Sequence, residues 1–201
     1  MAGILSPTDT YLQEALILNV AGVLTTDQFE QLCAVNRDVR LELTSTGELI
    51  AMLPTGSKTG IRNANLTYQL TAWALNDGSG FSFDSSSLFT LPNGSMYSPD
   101  ASWIRRDRWD QLSEANQERF APICPDFVVE LRSRTDSLKR LQAKMREFIE
   151  NGASLGWLID PLERLVYVYS EGAEVQVLEN PKQISAEPLL KGFALQMELI
   201  W

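Results

Sequence analysis

The stretch Phe127-Val128-Val129-Glu130-Leu131-Arg132 is a short apolar run that ends in a glutamate and an arginine. A continuous apolar run of this kind is typical of a central strand that is covered on both faces. A helix is predicted next, over residues 136–151, because its apolar residues recur at helical spacing and Gly152 is a stop signal. A further strand is predicted over 155–159. This strand–helix–strand order indicates a mixed α/β fold with a central sheet flanked by helices.

The remaining elements are predicted from spacing and turn signals on both sides of this unit. Before it we expect a strand over 16–20, a helix after the capping-box pattern Thr25-Thr-Asp-Gln28, a hairpin over 41–52, a flexible loop over 55–60 and a helix over 62–76. We then expect strands over 81–83, 87–91 and 96–104, a short polar helix over 109–120, and a closing hairpin over 166–169 and 174–178.

The chain has the length of one domain, and no repeat or long linker divides it. We therefore predict a single domain over 1–201. It would consist of an N-terminal extension (1–40), a core (41–170) and a C-terminal hairpin with a tail (171–201).

The composition is that of an ordinary globular protein, with 44% hydrophobic and 21% charged residues. No apolar run approaches the roughly 20 residues that a membrane-spanning helix needs. The first nine residues lack the basic and apolar regions of a signal peptide. The two cysteines, Cys33 and Cys124, form no disulfide framework or metal spacing and are expected to be reduced. We therefore expect a cytoplasmic location and no membrane partner.

The sequence contains no histidine. This excludes the Ser-His and Cys-His nucleophile mechanisms, histidine-based zinc hydrolases and any imidazole general base. If the protein is an enzyme, carboxylates and lysine must carry the chemistry.

The net charge of −9 argues against nucleic-acid binding through the bulk of the surface, because phosphate contacts dominate such affinity. The charge is uneven, however. Residues 132–146 hold six basic residues against one acidic residue, a net charge of +5 that leaves −14 for the rest of the chain. This basic segment is either a solvated loop and helix face, which charge alone favours, or a contact for an anionic substrate.

Asp100 and Glu130 are acidic residues predicted on strands with apolar neighbours. A carboxylate at such a position is costly unless it is paired or bound to a metal. Two converging carboxylates can hold a divalent cation such as Mg²⁺, which prefers oxygen ligands. Either residue alone favours the alternative, a partly exposed carboxylate at a strand end. The pair, followed by a basic helix, favours a site.

Lys144 borders the apolar face of the helix predicted over 136–151. With Leu141 placed at 0°, Lys144 lies at about 300° and Lys139 at about 160°. Lys144 can therefore reach beneath the helix towards the sheet, whereas Lys139 is expected to face water. A lysine whose stem covers the edge of a core while its ammonium stays in water fits the same position equally well.

Pro99-Asp100 followed by Glu130-Leu131-Arg132 resembles the PD-(D/E)xK signature of the restriction-endonuclease-like superfamily. The runs 129–139 and 144–161 more closely resemble a family of small bacterial endonucleases that is expanded in cyanobacteria and has mostly unassigned roles. The resemblance covers about residues 40–169. It implies that the single domain over 1–201 is endonuclease-like, with a restriction-endonuclease-like core, and that it cleaves DNA with Mg²⁺ or Mn²⁺.

Residue by residue, the resemblance implies that Asp100 and Glu130 bind the metal and that the carbonyl of Leu131 completes its shell. The lysine expected two residues after Glu130 is Arg132, which stays charged and is a poor base. In the resembled family a helix lysine takes this place, and the match falls on Lys144, which would position or activate the attacking water.

A glutamate that the superfamily often carries on its first helix is missing, because the helix predicted over 62–76 contains no acid. Glu48 on the preceding hairpin is the first choice as its substitute in the catalytic set, and Glu42 is the second choice. Both residues also fit ordinary surface positions on strands.

Two functions of different class fit these residues. The first is a metal-dependent DNA endonuclease, which we expect to be a homodimer because cutting both strands often needs two sites. The second is a non-catalytic binding or assembly module that retains the nuclease fold. The acidic surface, Arg132 and the missing first-helix glutamate favour the second function.

Overall fold

The computed structural model describes residues 15–52, 54 and 56–201. The first nine residues, where no signal peptide is expected, lie outside this part of the chain, as does Thr55 of the predicted loop. The strands are β1 (Leu16–Asn19), β2 (Arg40–Leu43), β3 (Glu48–Met52), β4 (Gly80–Asp84), β5 (Phe89–Thr90), β6 (Met96–Tyr97), β7 (Ala101–Arg105), β8 (Phe127–Leu131), β9 (Leu155–Asp160), β10 (Leu165–Ser170), β11 (Gln176–Glu179), β12 (Gln183–Ser185) and β13 (Ala194–Gln196).

The helices are α1 (Thr26–Val35), α2 (Ser57–Asp77), α3 (Arg106–Trp109), α4 (Glu114–Gln117) and α5 (Leu138–Glu150), and a 3-10 turn spans Met197–Leu199. Among these described helices, none is long and apolar enough to cross a membrane.

A six-stranded mixed sheet forms the centre of the fold, in the order β11-β10-β9-β8-β7-β4. β8 and β9 are parallel and are joined through α5, while the other neighbours are antiparallel. Side chains alternate along β8, so that Phe127 and Val129 pack on the α2 side and Val128 packs with Met145 and Phe148 of α5. The predicted mixed α/β fold with a central sheet flanked by helices is confirmed.

A second sheet of five strands has the order β1-β3-β2-β6-β5. α1 lies against it and buries Phe29 among Leu41 and Met96. α1 begins at the predicted capping box, in which the Thr25 hydroxyl accepts from the Gln28 N–H and the Gln28 side chain accepts from the Thr25 N–H.

The single strand predicted over 96–104 is wrong, because the chain changes sheets within it. β6 belongs to the five-stranded sheet and β7 to the six-stranded one. Pro99 between them has no N–H to donate to a strand ladder and interrupts the pairing. Asp100 therefore lies at the junction of the two sheets rather than inside a strand. We call residues 98–100 the sheet crossing.

Two helix predictions are also wrong in extent. α2 begins at Ser57, with Gly56 at its N-cap, so most of the predicted flexible loop is the first turn of the helix. The polar helix predicted over 109–120 is instead two single turns, α3 and α4. Ser113 starts the second turn, because its hydroxyl accepts from the Asn116 N–H and caps a new helix.

The residues after β11 form a small C-terminal layer that sequence patterns do not indicate. It consists of the β12–β13 hairpin and the 3-10 turn, and it lies against α2. Arg62 Nε donates to the Ile200 carbonyl at 2.8 Å, and Trp73 Nε1 donates to the Lys191 carbonyl at 3.0 Å. Trp201 packs against the same core. This layer completes the cover of the central sheet on the α2 side.

We expect Gly80→Ala to destabilise the fold. A Cβ at Gly80 would clash with the Ile104 carbonyl oxygen and with the Trp103 ring. Neither group can move freely, so the free energy of unfolding should fall by about 1–3 kcal/mol. Gly60→Ala is the matched control. Its Cβ meets nothing within 4 Å, so removing this helix glycine should raise stability by about 0.5–1 kcal/mol. Urea unfolding of both variants checks this prediction, and equal stabilities would contradict it.

Candidate active site

Lys144 on α5 is buried between two glutamates. Its Nζ lies 2.7 Å from Glu130 Oε1 on β8 and 2.8 Å from Glu42 Oε1 on β2. The side chains of these residues are between 3% and 10% exposed, so water screens their charges little. Glu42 Oε1 also accepts from the Ser98 N–H at 2.9 Å. The ion pairs therefore join both sheets and α5 at the sheet crossing.

Asp100 lies beside this contact and is held by three donors. Its Oδ2 accepts from the backbone N–H of Leu131 at 2.8 Å. Its Oδ1 lies 3.2 Å from a terminal nitrogen of Arg40 and 3.5 Å from Asn63 Nδ2. The bond to Leu131 fixes the carboxylate against the peptide that follows Glu130. We call Glu42, Asp100 and Glu130 the acidic cluster, and Arg40 and Lys144 its two cations.

The electrostatics of the cluster are set by burial and by its unequal charges, three acids against two bases. Burial raises the pKa of Glu130 to about 8, against the opposing effect of Lys144. The carboxylates of Asp100 and Glu42 add to the rise. Burial alone would lower the pKa of Lys144, but the two glutamates outweigh it and raise the pKa. The ammonium of Lys144 therefore keeps its proton at neutral pH.

Glu147, one turn after Lys144, anchors α5 to the five-stranded sheet. Its Oε2 accepts from the Tyr97 hydroxyl at 2.7 Å, and its Oε1 accepts from Asn93 Nδ2 at 2.7 Å and from the Ser95 hydroxyl. Partial burial alone would raise the pKa of Glu147, but these hydrogen bonds lower it. The Tyr97 ring lies 5.2 Å from Lys144 Nζ, a cation–π distance. Glu147 thus fixes α5 to the five-stranded sheet and keeps the Tyr97 ring next to Lys144.

The oxygen donors of the cluster suit a hard divalent cation. Among the described residues, Glu130 Oε1 is buried and accepts no hydrogen bond of good geometry besides its ion pair with Lys144, so lone pairs remain for a cation. In the part of the chain that the structure describes, no three His, Cys, Asp or Glu side chains are already grouped as a metal site. The carboxylates are instead neutralised by Lys144 and Arg40.

The structure brings the predicted residues Asp100, Glu130 and Lys144 together. It does not bring Glu48 to them, because this residue starts β3 with its side chain 45% exposed and Arg140 at 3.9 Å. Glu42, the second choice in the sequence, holds Lys144 instead. The sequence pattern that indicates a buried Glu42 is its place between two leucines in the first strand of the hairpin. In the structure both faces of this strand are buried.

Arg132, which stands in the place of the superfamily lysine, is turned away from the cluster. Its terminal nitrogen lies 2.6 Å from Asp160 Oδ2, a fully buried carboxylate, and its Nε donates to the Asp136 carbonyl at 3.3 Å. The arginine at the cluster is Arg40, which sequence reasoning missed. No local pattern marks it, because its partner Asp100 lies 60 residues away in the chain.

We expect Glu147→Gln to lower the free energy of unfolding by about 1 kcal/mol at pH 7, because charge-assisted hydrogen bonds are lost at a half-exposed site. The pKa of Glu147 is lowered in the folded state, so the unfolded chain binds its proton first as pH falls. The stabilisation is therefore present above the ordinary glutamate pKa and lost below it. The difference between wild type and variant should shrink as pH falls below the ordinary glutamate pKa of about 4.3 in urea unfolding.

Glu150→Gln, an exposed residue of the same helix, is the matched control and should show no such dependence. A difference at Glu147 that persists unchanged to low pH would contradict the prediction.

The fold is similar to the crystal structure of a putative nuclease belonging to DUF820 from Anabaena variabilis. The TM-score is 0.73 at 21% sequence identity, and the similarity covers 88% of this chain and 97% of that chain. At this identity the similarity establishes the fold. No curated protein is significantly similar to the sequence.

The model of the family described as "Putative restriction endonuclease" matches residues 26–198. The match runs from the start of α1 into the final 3-10 turn and includes the acidic cluster with both of its cations. The resemblance to the restriction-endonuclease-like superfamily is confirmed. The chain therefore belongs to the putative restriction endonuclease family.

Proposed function

We propose that this protein is a metal-dependent endonuclease that hydrolyses phosphodiester bonds in DNA. The observation that carries the proposal is the buried contact of Lys144 with Glu130 next to Asp100. A buried ion pair is often no more stable than apolar residues of the same volume. Stability alone therefore does not explain the buried Lys144–Glu130 pair, and its presence in a nuclease fold supports a role in the reaction.

Asp100 and Glu130 would hold Mg²⁺ or Mn²⁺, with the carbonyl of Leu131 as a further ligand. When bound, such an ion supplies positive charge to the reacting phosphate and lowers the pKa of a coordinated water. The Leu131 N–H fixes one oxygen of Asp100, and the other oxygen, which Arg40 and Asn63 contact, would be offered to the cation. Arg40 would have to release this oxygen for the ion to bind.

Lys144 would orient the attacking water and stabilise negative charge on the phosphate. Its raised pKa keeps the side chain a charged hydrogen-bond donor rather than a base. Glu42 holds the ammonium from the other side and limits its motion. In the reaction the water oxygen forms a bond to phosphorus and the bond to the leaving sugar oxygen breaks. The proton of the water passes to solvent, and the leaving oxygen takes up a proton.

DNA as the substrate is supported by the basic segment around Lys144. Its exposed cations lie on the loop before α5 and on α5 itself, namely Arg134, Lys139, Arg140 and Arg146. Since the rest of the chain is acidic, attraction for a phosphate backbone would be strongest at this segment, which also carries Lys144.

The test is the rate of DNA cleavage with Mn²⁺ for the variants Asp100→Ala, Glu130→Ala and Lys144→Ala. Each should lower the rate at least about 100-fold, because each removes a charge next to the reacting phosphate. Lys191→Ala is the control, an exposed lysine outside the basic segment, and should change the rate by less than about twofold, because its charge is exposed.

An undiminished rate in all three variants would contradict the endonuclease. If the wild type binds no Mn²⁺ at millimolar concentration in calorimetry, the protein is the non-catalytic binding or assembly module instead.

We also propose that the protein acts as a homodimer through α2. Ile61, Tyr68 and Leu75 recur every seven residues on this helix and are 64%, 69% and 81% exposed. An antiparallel second copy of α2 with its twofold axis at Tyr68 would set Ile61 against Leu75 of that copy. Between residues 59 and 76 the helix has one charge, Arg62, which is turned to the C-terminal layer. The exposed face is therefore apolar and self-complementary.

A cytoplasmic location is supported by the two cysteines. Cys33 and Cys124 are both free, and burial raises the pKa of each thiol, to about 11 and about 12. Such thiols are poorly reactive and fit a reducing compartment.

We expect Tyr68→Arg to convert the dimer to a monomer, because each introduced charge would meet its own copy across the twofold axis. Light scattering after gel filtration should show the mass halved. Leu162→Arg, a substitution at another exposed apolar residue, 43% exposed on the turn after β9, is the control and should leave the mass unchanged. A wild-type protein of monomer mass would contradict this interface.

A further inference from the structure

Arg40 on β2 places its guanidinium inside the acidic cluster. One terminal nitrogen lies 3.2 Å from Asp100 Oδ1, and the other donates to the Ser98 carbonyl. The Nε is buried and, within the part of the chain that the structure describes, has no hydrogen-bond partner. Arg40 is thus strongly attracted to the cluster while one of its donors remains unused.

A groove connects Arg40 with solvent. Its volume is about 810 Å³, and it is lined by α1, by residues 83–89 and by residues 117–121, with Arg40 and Ser98 at the cluster end. The Arg40 side chain is 30% exposed, whereas the carboxylate of Asp100 behind it is 11% exposed. A ligand that enters through this groove meets the guanidinium before it meets the carboxylates.

We propose that Arg40 is a catalytic residue that contacts a non-bridging oxygen of the scissile phosphate. In the metal-free protein Arg40 neutralises Asp100. When metal and DNA are bound, Arg40 would no longer contact Asp100 and would contact the phosphate instead. The proposal rests on the proposed endonuclease function and adds a residue that touches the substrate.

The chemistry of the guanidinium favours this exchange. It is charged at any physiological pH and carries five donors in a planar fork that matches two oxygens of a phosphate. A divalent ion on Asp100 would lie next to Arg40, and the repulsion between like charges weakens the pair with the carboxylate. A phosphate then supplies the negative charge that Arg40 loses. Arg132 cannot take this part, because its guanidinium is held by Asp160 at the end of β9.

The affinity for the metal distinguishes a catalytic role of Arg40 from a merely structural one, because the two roles predict opposite effects of removing Arg40. If Arg40 only positions Asp100, its removal misplaces a metal ligand and weakens metal binding. If Arg40 competes with the metal for Asp100, its removal strengthens metal binding. Affinity for the metal alone, measured without substrate, therefore separates the two roles.

The experiment compares Arg40→Gln and Arg40→Lys with the control Arg164→Gln, an exposed arginine on the turn after β9, outside the groove. Arg40→Gln should bind Mn²⁺ about tenfold more tightly in calorimetry, since one repelling charge is gone. In single-turnover DNA cleavage at saturating Mn²⁺ its rate should fall about 10²- to 10³-fold. Arg40→Lys should recover part of the rate, and Arg164→Gln should change neither quantity.

Weaker Mn²⁺ binding by Arg40→Gln, or an unchanged cleavage rate, would overturn the role of Arg40 while the wild-type enzyme stays active. A wild type that neither binds Mn²⁺ nor cleaves DNA would overturn the endonuclease itself, and Arg40 with it. If Arg40→Gln does not fold, Arg40→Lys decides. A rate at least about tenfold lower at an unchanged unfolding temperature supports the proposal, and an unchanged rate overturns it.

Discussion

A lysine ammonium buried between two carboxylates constrains the rest of this structure. Removing such charges from water costs several kcal/mol per ion unless partners stand within hydrogen-bond distance. Here the partners come from different sheets, Glu42 on β2 and Glu130 on β8, and the lysine from α5. The two sheets and the helix must therefore keep a fixed mutual position. The anchoring of α5 by Glu147 and the bond from the Ser98 N–H to Glu42 both serve that position.

The charges of the cluster explain how its three acids can be buried together. Two cations balance most of the charge of three acids, and each buried carboxylate has a charged side chain or an N–H donor within hydrogen-bond distance. The same arrangement leaves the carboxylates exchangeable, since each is held by a charged side chain rather than by apolar packing. A fold that keeps its acids paired with its own bases is stable without a ligand and still offers oxygen ligands to one.

Much of this architecture is predictable from local sequence. β8, α5 and β9 follow from an apolar run, a helical period and a glycine stop, and the side of α5 that carries Lys144 follows from its angle to Leu141. The split of the 96–104 strand is harder to predict, because both halves have the same apolar character and Pro99 alone marks the change of sheet. Glu42 and Glu48 lie on the same hairpin, and which of them is buried depends on how the second sheet closes. Arg40 reaches Asp100 through tertiary structure alone.

The position of the cluster at the sheet crossing couples ligand binding to the interface between the two sheets. Asp100 stands where the chain leaves one sheet for the other, and its neighbours in the cluster belong to both. Any ligand held by these side chains also fastens the two sheets together, and its binding free energy is added to their interface. By the same linkage, a change in the angle between the sheets alters affinity for the ligand. Ligand binding at the site and the relative position of the two sheets are therefore thermodynamically linked.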